Sequence, residues 1–91
     1  MRVRNMASNS GREVPNQFIV ESNDGRYFQS YDSVIAKIDH NGKVFLDNHY
    51  WDYSKTTSKY RNIFLGETTK DTKKKIDSGE YTLVNLNGGK V

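Results

Sequence analysis

A chain of 91 residues without cysteine has room for one core and cannot use disulfides or a thiolate metal site, so packing of its apolar and aromatic side chains must hold it. Fourteen Lys and Arg against eleven Asp and Glu give a net charge of +3, unevenly spread. Residues 1–12 carry three Arg and no acid, residues 13–42 carry five acids against Arg26 and Lys37, and residues 43–75 carry eight cations against four acids. No apolar run approaches the roughly 20 residues of a membrane span, and none follows the basic N-terminus as in a secretory signal, so the expected setting is the reducing cytoplasm.

Residues 1–15 show neither strand nor helix periodicity and are rich in Arg, Ser, Asn and Gly; the expectation is a disordered arm, with Met1 or Met6 as the start of translation. From residue 16, QFIVES, NDG and RYFQSY read as a hairpin. A three-residue Asn23-Asp24-Gly25 loop would set Val20 opposite Phe28. SVIAKID, HNG and KVFLD read as a second hairpin. Here a three-residue loop with Gly42 left-handed pairs Ile38 with Val44 and Ala36 with Leu46, which matches the apolar rows.

Helical spacing follows. Tyr60, Ile63 and Phe64 fall at i, i+3 and i+4, so a helix is expected from about Ser58, capped by Thr56 or Thr57 and closed by Gly66. A second helix starts at Thr68 or Thr69, carries Asp71 in its first turn, sets Thr72 and Ile76 on one face and ends at Gly79. EYTLVNLN alternates as a last strand. The order β-β-β-β-α-α-β predicts an α+β fold, an antiparallel sheet of two hairpins and a C-terminal strand with two short helices. A single domain should span 16–87, with 88–91 a loose tail.

The stretch YSKTTSKYRN, residues 53–62, gathers hydroxyls and cations with no acid. Ser54, Thr56, Thr57 and Ser58 are the residues to cap a helix, and a helix start ringed by Lys55, Lys59 and Arg61 is also a place for a phosphate. Lys73, Lys74 and Lys75 would add contacts without base preference, and Tyr53 or Tyr60 could stack on bases. Trp51 reads as core, with Tyr50 or Tyr53 the more exposed ring.

The aromatic link and motif of HYWDYSKTTSKYRNIFLGET, after the YFQSYDSVIAKIDHNGKVFLD hairpin, resemble a family of short uncharacterised proteins encoded by phages, plasmids and other mobile elements of Firmicutes. The likeness runs over residues 16–87 and rests on the pattern YSxTTSKxxxxFLG. It implies an accessory product acting inside a bacterial host cell, and no assigned activity.

His40 and His49 with Asp47 and Asp52 do not make a convincing ligand set, and no cofactor or metal is expected. The sequence holds no cysteine nucleophile, phosphate loop or readable carboxylate pair, so no catalytic residue is assigned and the expected protein is not an enzyme. The leading expectation is a monomer or homodimer that binds nucleic acid through its basic helical half. Two other readings stand beside it, an inhibitor of a host or defence enzyme that binds a host protein, and a structural virion component.

Overall fold

The computed structural model describes residues 1–8 and 10–88. In chain order it contains β1 (Arg2–Ala7), β2 (Glu13–Ser22), β3 (Gly25–Ser30), β4 (Ser33–Ile38), β5 (Val44–Asp47), α1 (Lys55–Leu65), α2 (Thr69–Asp77) and β6 (Thr82–Val84). The six strands form one sheet in that order. Strands β1 to β5 run antiparallel, whereas β6 lies parallel to β5. The fold is α+β as expected, with one strand more and a parallel last pair. A parallel neighbour needs a crossover, and the two helices between β5 and β6 supply it.

Residues 1–15 are not a disordered arm, because they build β1 and open β2. Strand alternation sets Arg2, Arg4 and Met6 toward the helices and Val3 away from them. Met6 is accordingly buried and Val3 exposed. An apolar period is missing from this segment because an edge strand needs only one inward anchor. Of the tail expected over 88–91, only Gly88 falls among the described residues.

The first hairpin departs from its expected register. Ile19, not Val20, faces Phe28, and Ser22 pairs with Gly25 across a two-residue loop. This register turns Ile19 and Phe28 together into the core. Gly25 then sits in the strand at φ 142, where an added Cβ would lie 2.3 Å from the Ile38 carbonyl oxygen. The second hairpin pairs Ile38 with Val44 and Ala36 with Leu46, as the apolar rows require. Gly42 has φ 81. A bulge between β3 and β4 inserts Ile35, so that Ile35 and Ala36 both bury their side chains although they are adjacent.

Helix α1 starts three residues earlier than expected. Ser54 is its cap, accepting from the Thr57 amide. Thr57 cannot cap, because its hydroxyl turns inward to Ser30 Oγ at 3.1 Å. The inner side carries Thr57 and Arg61, with Phe64 stacked on Phe28 at 5.9 Å between centroids, while Ile63 is 52% exposed. Gly66 closes the helix at φ 71. Thr68 caps α2 in a reciprocal box with Asp71. The buried strand residues pack with Tyr50, Trp51, Tyr60, Phe64, Leu65 and Ile76, which puts both helices over one side of the sheet.

Candidate functional site

Arg61 is not a surface cation. Its side chain is 0% exposed. Nη1 donates to the Trp51 carbonyl and reaches Asp52 Oδ1 at 3.3 Å, while Nη2 donates to Thr69 Oγ1 at 2.9 Å and Asn62 Oδ1 at 3.1 Å. The guanidinium also lies over the Trp51 ring, 5.1 Å from its centroid. Burial pushes its pKa down while Asp52 opposes the shift. Asp52 is held below its ordinary value by a hydrogen bond from Ser58 and then by Arg61. Arg61 therefore ties the 48–54 link to both helices, and its expected role in contacting phosphate is corrected to a structural one.

Lys75 is also engaged. It donates to Glu67 Oε1 at 2.8 Å, and the same oxygen accepts from Tyr81 Oη at 2.7 Å. Lys73 and Lys74 are exposed on α2, with Lys73 beside Trp51, Ile76 and Asp77. The first-turn hydroxyls mostly serve the fold: Ser54 caps, Thr57 bonds Ser30, and Ser58 donates to Asp52 at 2.6 Å. Thr56 is exposed. Lys55 and Lys59 lie one turn apart on the exposed side of α1. Lys59 extends over the Tyr60 ring at 5.3 Å. Tyr53 is exposed just before the cap of this helix. The eight residues singled out in the sequence thus do not form one patch.

A different basic surface does form. Register places Arg2 opposite Glu21 and Glu21 opposite Arg26, and Arg4 makes an ion pair with the same glutamate. Three arginines converge on one carboxylate. Glu21 is held below its ordinary value by the hydrogen bond from Arg4, then by the charges of Arg4, Arg2 and Arg26. Arg2 and Arg26 join no ion pair among the described residues, and Arg26 lies over the Phe64 ring at 5.5 Å.

Between β1 and α1 runs a groove with a cavity of about 400 Å³, whose lining includes Arg4, Met6, Ile19, Arg26, Ile63 and Phe64. It continues through a smaller recess lined by Ala7, Ser8, Lys59, Tyr60 and Ile63. Cations therefore stand at both ends of an apolar and aromatic floor, with Lys55 one turn beyond Lys59. Sequence reading missed Arg2, Arg4 and Arg26, because only the sheet brings them together. The available signal was the Arg2-x-Arg4 spacing, which puts both side chains on one side of any strand.

Among the described residues, no three His, Asp or Glu side chains gather as a metal-ligand set, and no helix is long and apolar enough to cross a membrane. A family model described as a family of unknown function, DUF8033, matches residues 1–80, a span that takes in β1, the groove and both helices. No curated protein and no solved structure matches the chain.

Proposed function

The chain belongs to this family of unknown function, which brings no activity with it, and we propose that it is a non-enzymatic protein that binds nucleic acid along the β1–α1 groove. The observation that carries this reading is the strand register that sets Arg2 and Arg26 on either side of Glu21, whose single carboxylate is paired with Arg4. Guanidinium forks suit phosphate oxygens, and the apolar floor with Ile63 and Tyr60 suits the rings between them. Lys59 and Lys55 extend the cationic track toward the N-terminal end of α1. The surface differs from the one that the charge count suggested, while the class of ligand is the same. The likeness to mobile-element proteins extends the proposal to an accessory product working inside a bacterial host.

The inhibitor reading is less well supported. A protein that imitates nucleic acid needs a free acidic face. In the acidic segment, however, Glu21 pairs with Arg4, Asp24 pairs with Lys37, and Asp39 accepts from the Asn41 and Lys43 amides.

Titration of a labelled single-stranded oligonucleotide across salt concentrations tests the proposal. Each phosphate neutralised should contribute about −0.7 to the slope of log affinity against log salt. Absence of binding at low ionic strength removes the reading.

A further inference from the structure

At the N-terminal end of α1, a cavity of about 320 Å³ is lined by Tyr31, Tyr50, Tyr53 and Ile35 together with Ser30, Asp32, Ser33 and Thr57. We propose that this cavity receives one base of a single strand whose backbone lies in the β1–α1 groove, an inference that rests on the nucleic-acid reading.

The lining fits a flat, neutral, polar-edged ring. Tyr31 and Tyr53 are 56% and 66% exposed, so most of their surface is open to a ligand. Tyr50 is fixed by edge contacts to His49 at 4.5 Å and Tyr53 at 5.4 Å. Ile35 supplies an apolar base to the cavity. The hydroxyls are ordered by one another: Ser54 Oγ donates to Thr57 Oγ1 at 3.2 Å, and Thr57 Oγ1 lies 3.1 Å from Ser30 Oγ. A hydroxyl both donates and accepts, which suits the mixed edge of a nucleobase.

Asp32 and the positive end of α1 set opposite charges beside the cavity, a balance that suits a neutral ring with a polar edge. Tyr31 also adopts φ 56, a conformation unusual for a bulky residue, at the tip of the β3–β4 turn.

Thr57 sits over Ser30 and Phe64 over Phe28, so α1 runs along the sheet from the tyrosine cavity to the arginine cluster. Its 11 residues span about 16 Å at 1.5 Å per residue. Lys55 stands at the cavity end of the helix and Lys59 one turn along it, where a strand would pass.

The test compares a mixed-sequence single strand with an abasic strand of equal length, at fixed low salt, against the wild-type protein and the Tyr53→Ala, Tyr31→Gly and Arg26→Ala variants. Thermal melts establish that each variant folds. The wild-type protein should prefer the base-bearing strand by about tenfold, the scale of one stacked base. Tyr53→Ala and Tyr31→Gly should bring that affinity toward the abasic one, whereas Arg26→Ala should weaken both strands together. Equal, salt-dependent affinity for the two strands overturns the base pocket and the ring contacts of the groove floor, and leaves the arginine–phosphate contacts of the groove standing. A preference that survives both tyrosine substitutions also overturns it. No binding of either strand overturns the groove reading and the pocket with it.

Discussion

Arg61 Nη1 lies 3.3 Å from Asp52 Oδ1, with the arginine side chain wholly enclosed and the aspartate at the surface. The pair anchors the link after β5 to α1, and the same guanidinium reaches across to Thr69 in α2. A cation that counts toward the basic segment in the sequence is consumed by the interior, and the cationic surface has to be sought elsewhere.

Arg61→Ala should therefore act on stability. Removing one partner of a buried pair costs about 3–5 kcal/mol, and the partial exposure of Asp52 puts this case at the lower end. Arg61→Lys should recover little, because an ammonium cannot reproduce a planar fork with several acceptors. Urea denaturation of these variants beside Lys59→Ala, expected within about 0.5 kcal/mol of wild type, is the measurement. An Arg61→Ala protein as stable as the Lys59→Ala one would mean that the guanidinium contributes nothing to the fold.

Binding should show the opposite ranking. Arg4→Ala and Arg26→Ala should weaken association with a single strand and reduce the magnitude of the salt slope by about 0.7 each. Lys73→Ala, in a recess of α2 shared with Trp51, Ile76 and Asp77 and outside the groove lining, should leave both quantities almost unchanged. Equal losses at Arg26 and Lys73 would move the interface back to the helices.

The parts of the fold that could be read from sequence are those where one local rule decides. In the second hairpin, only one register keeps a carboxylate out of the Val34, Ala36 and Ile38 row, and the strands adopt it. In the first hairpin, Val20 and Ile19 are equally good partners for Phe28 by local pattern. The observed register sets Gly25 against the backbone of the next strand, an approach that a residue without Cβ permits and that no pairwise reading contains. The same limit hid the arginine cluster: its members stand on β1 and β3, and β2 lies between them. Thr57 and Arg61 were legible only as hydroxyl and charge, because their inward turn depends on Ser30 and Trp51.

Gly25→Ala tests that tertiary constraint. The new methyl would come within 2.3 Å of the Ile38 carbonyl oxygen, and the residue would be held at φ 142. Backbone cannot yield as a flexible side chain can, so the loss should exceed the about 1 kcal/mol typical of single substitutions. Gly42→Ala, with nothing within 4 Å of the added carbon, meets only the left-handed strain and should cost less. Thermal melts that rank the two the other way would contradict the observed register.

Stability should fall at both ends of the pH scale through one cluster. Glu67 is held below its ordinary value of 4.5 by Lys75, Thr72 and Tyr81 although burial works against this. A depressed carboxylate contributes fully above 4.5 and loses that contribution as pH drops through the folded value. Burial, then the bond to Glu67, pushes the Tyr81 phenol up to about 12 from 10.0. Its contribution is whole below 10.0 and is lost as pH climbs toward 12. Melting temperature against pH should show a plateau with two declining limbs, and Glu67→Gln should flatten both. Limbs unchanged by that substitution would assign them to other groups.

Strand β1 separates core from surface within two turns of alternation, and its two sides should respond independently. Met6→Ala should cost about 2 kcal/mol or more, the range for truncating a buried methionine. Val3→Ala, at a position 61% exposed, should stay within about 0.5 kcal/mol. Arg4→Ala should resemble Val3→Ala in denaturation but not in binding, since the ion pair it makes among the described residues is with Glu21 at the surface. A disordered arm would make all three neutral in urea, so a loss confined to Met6 is what distinguishes a paired strand from a tether. The joint result, stability at Met6 and affinity at Arg4, would place one short edge strand in both the core and the binding groove.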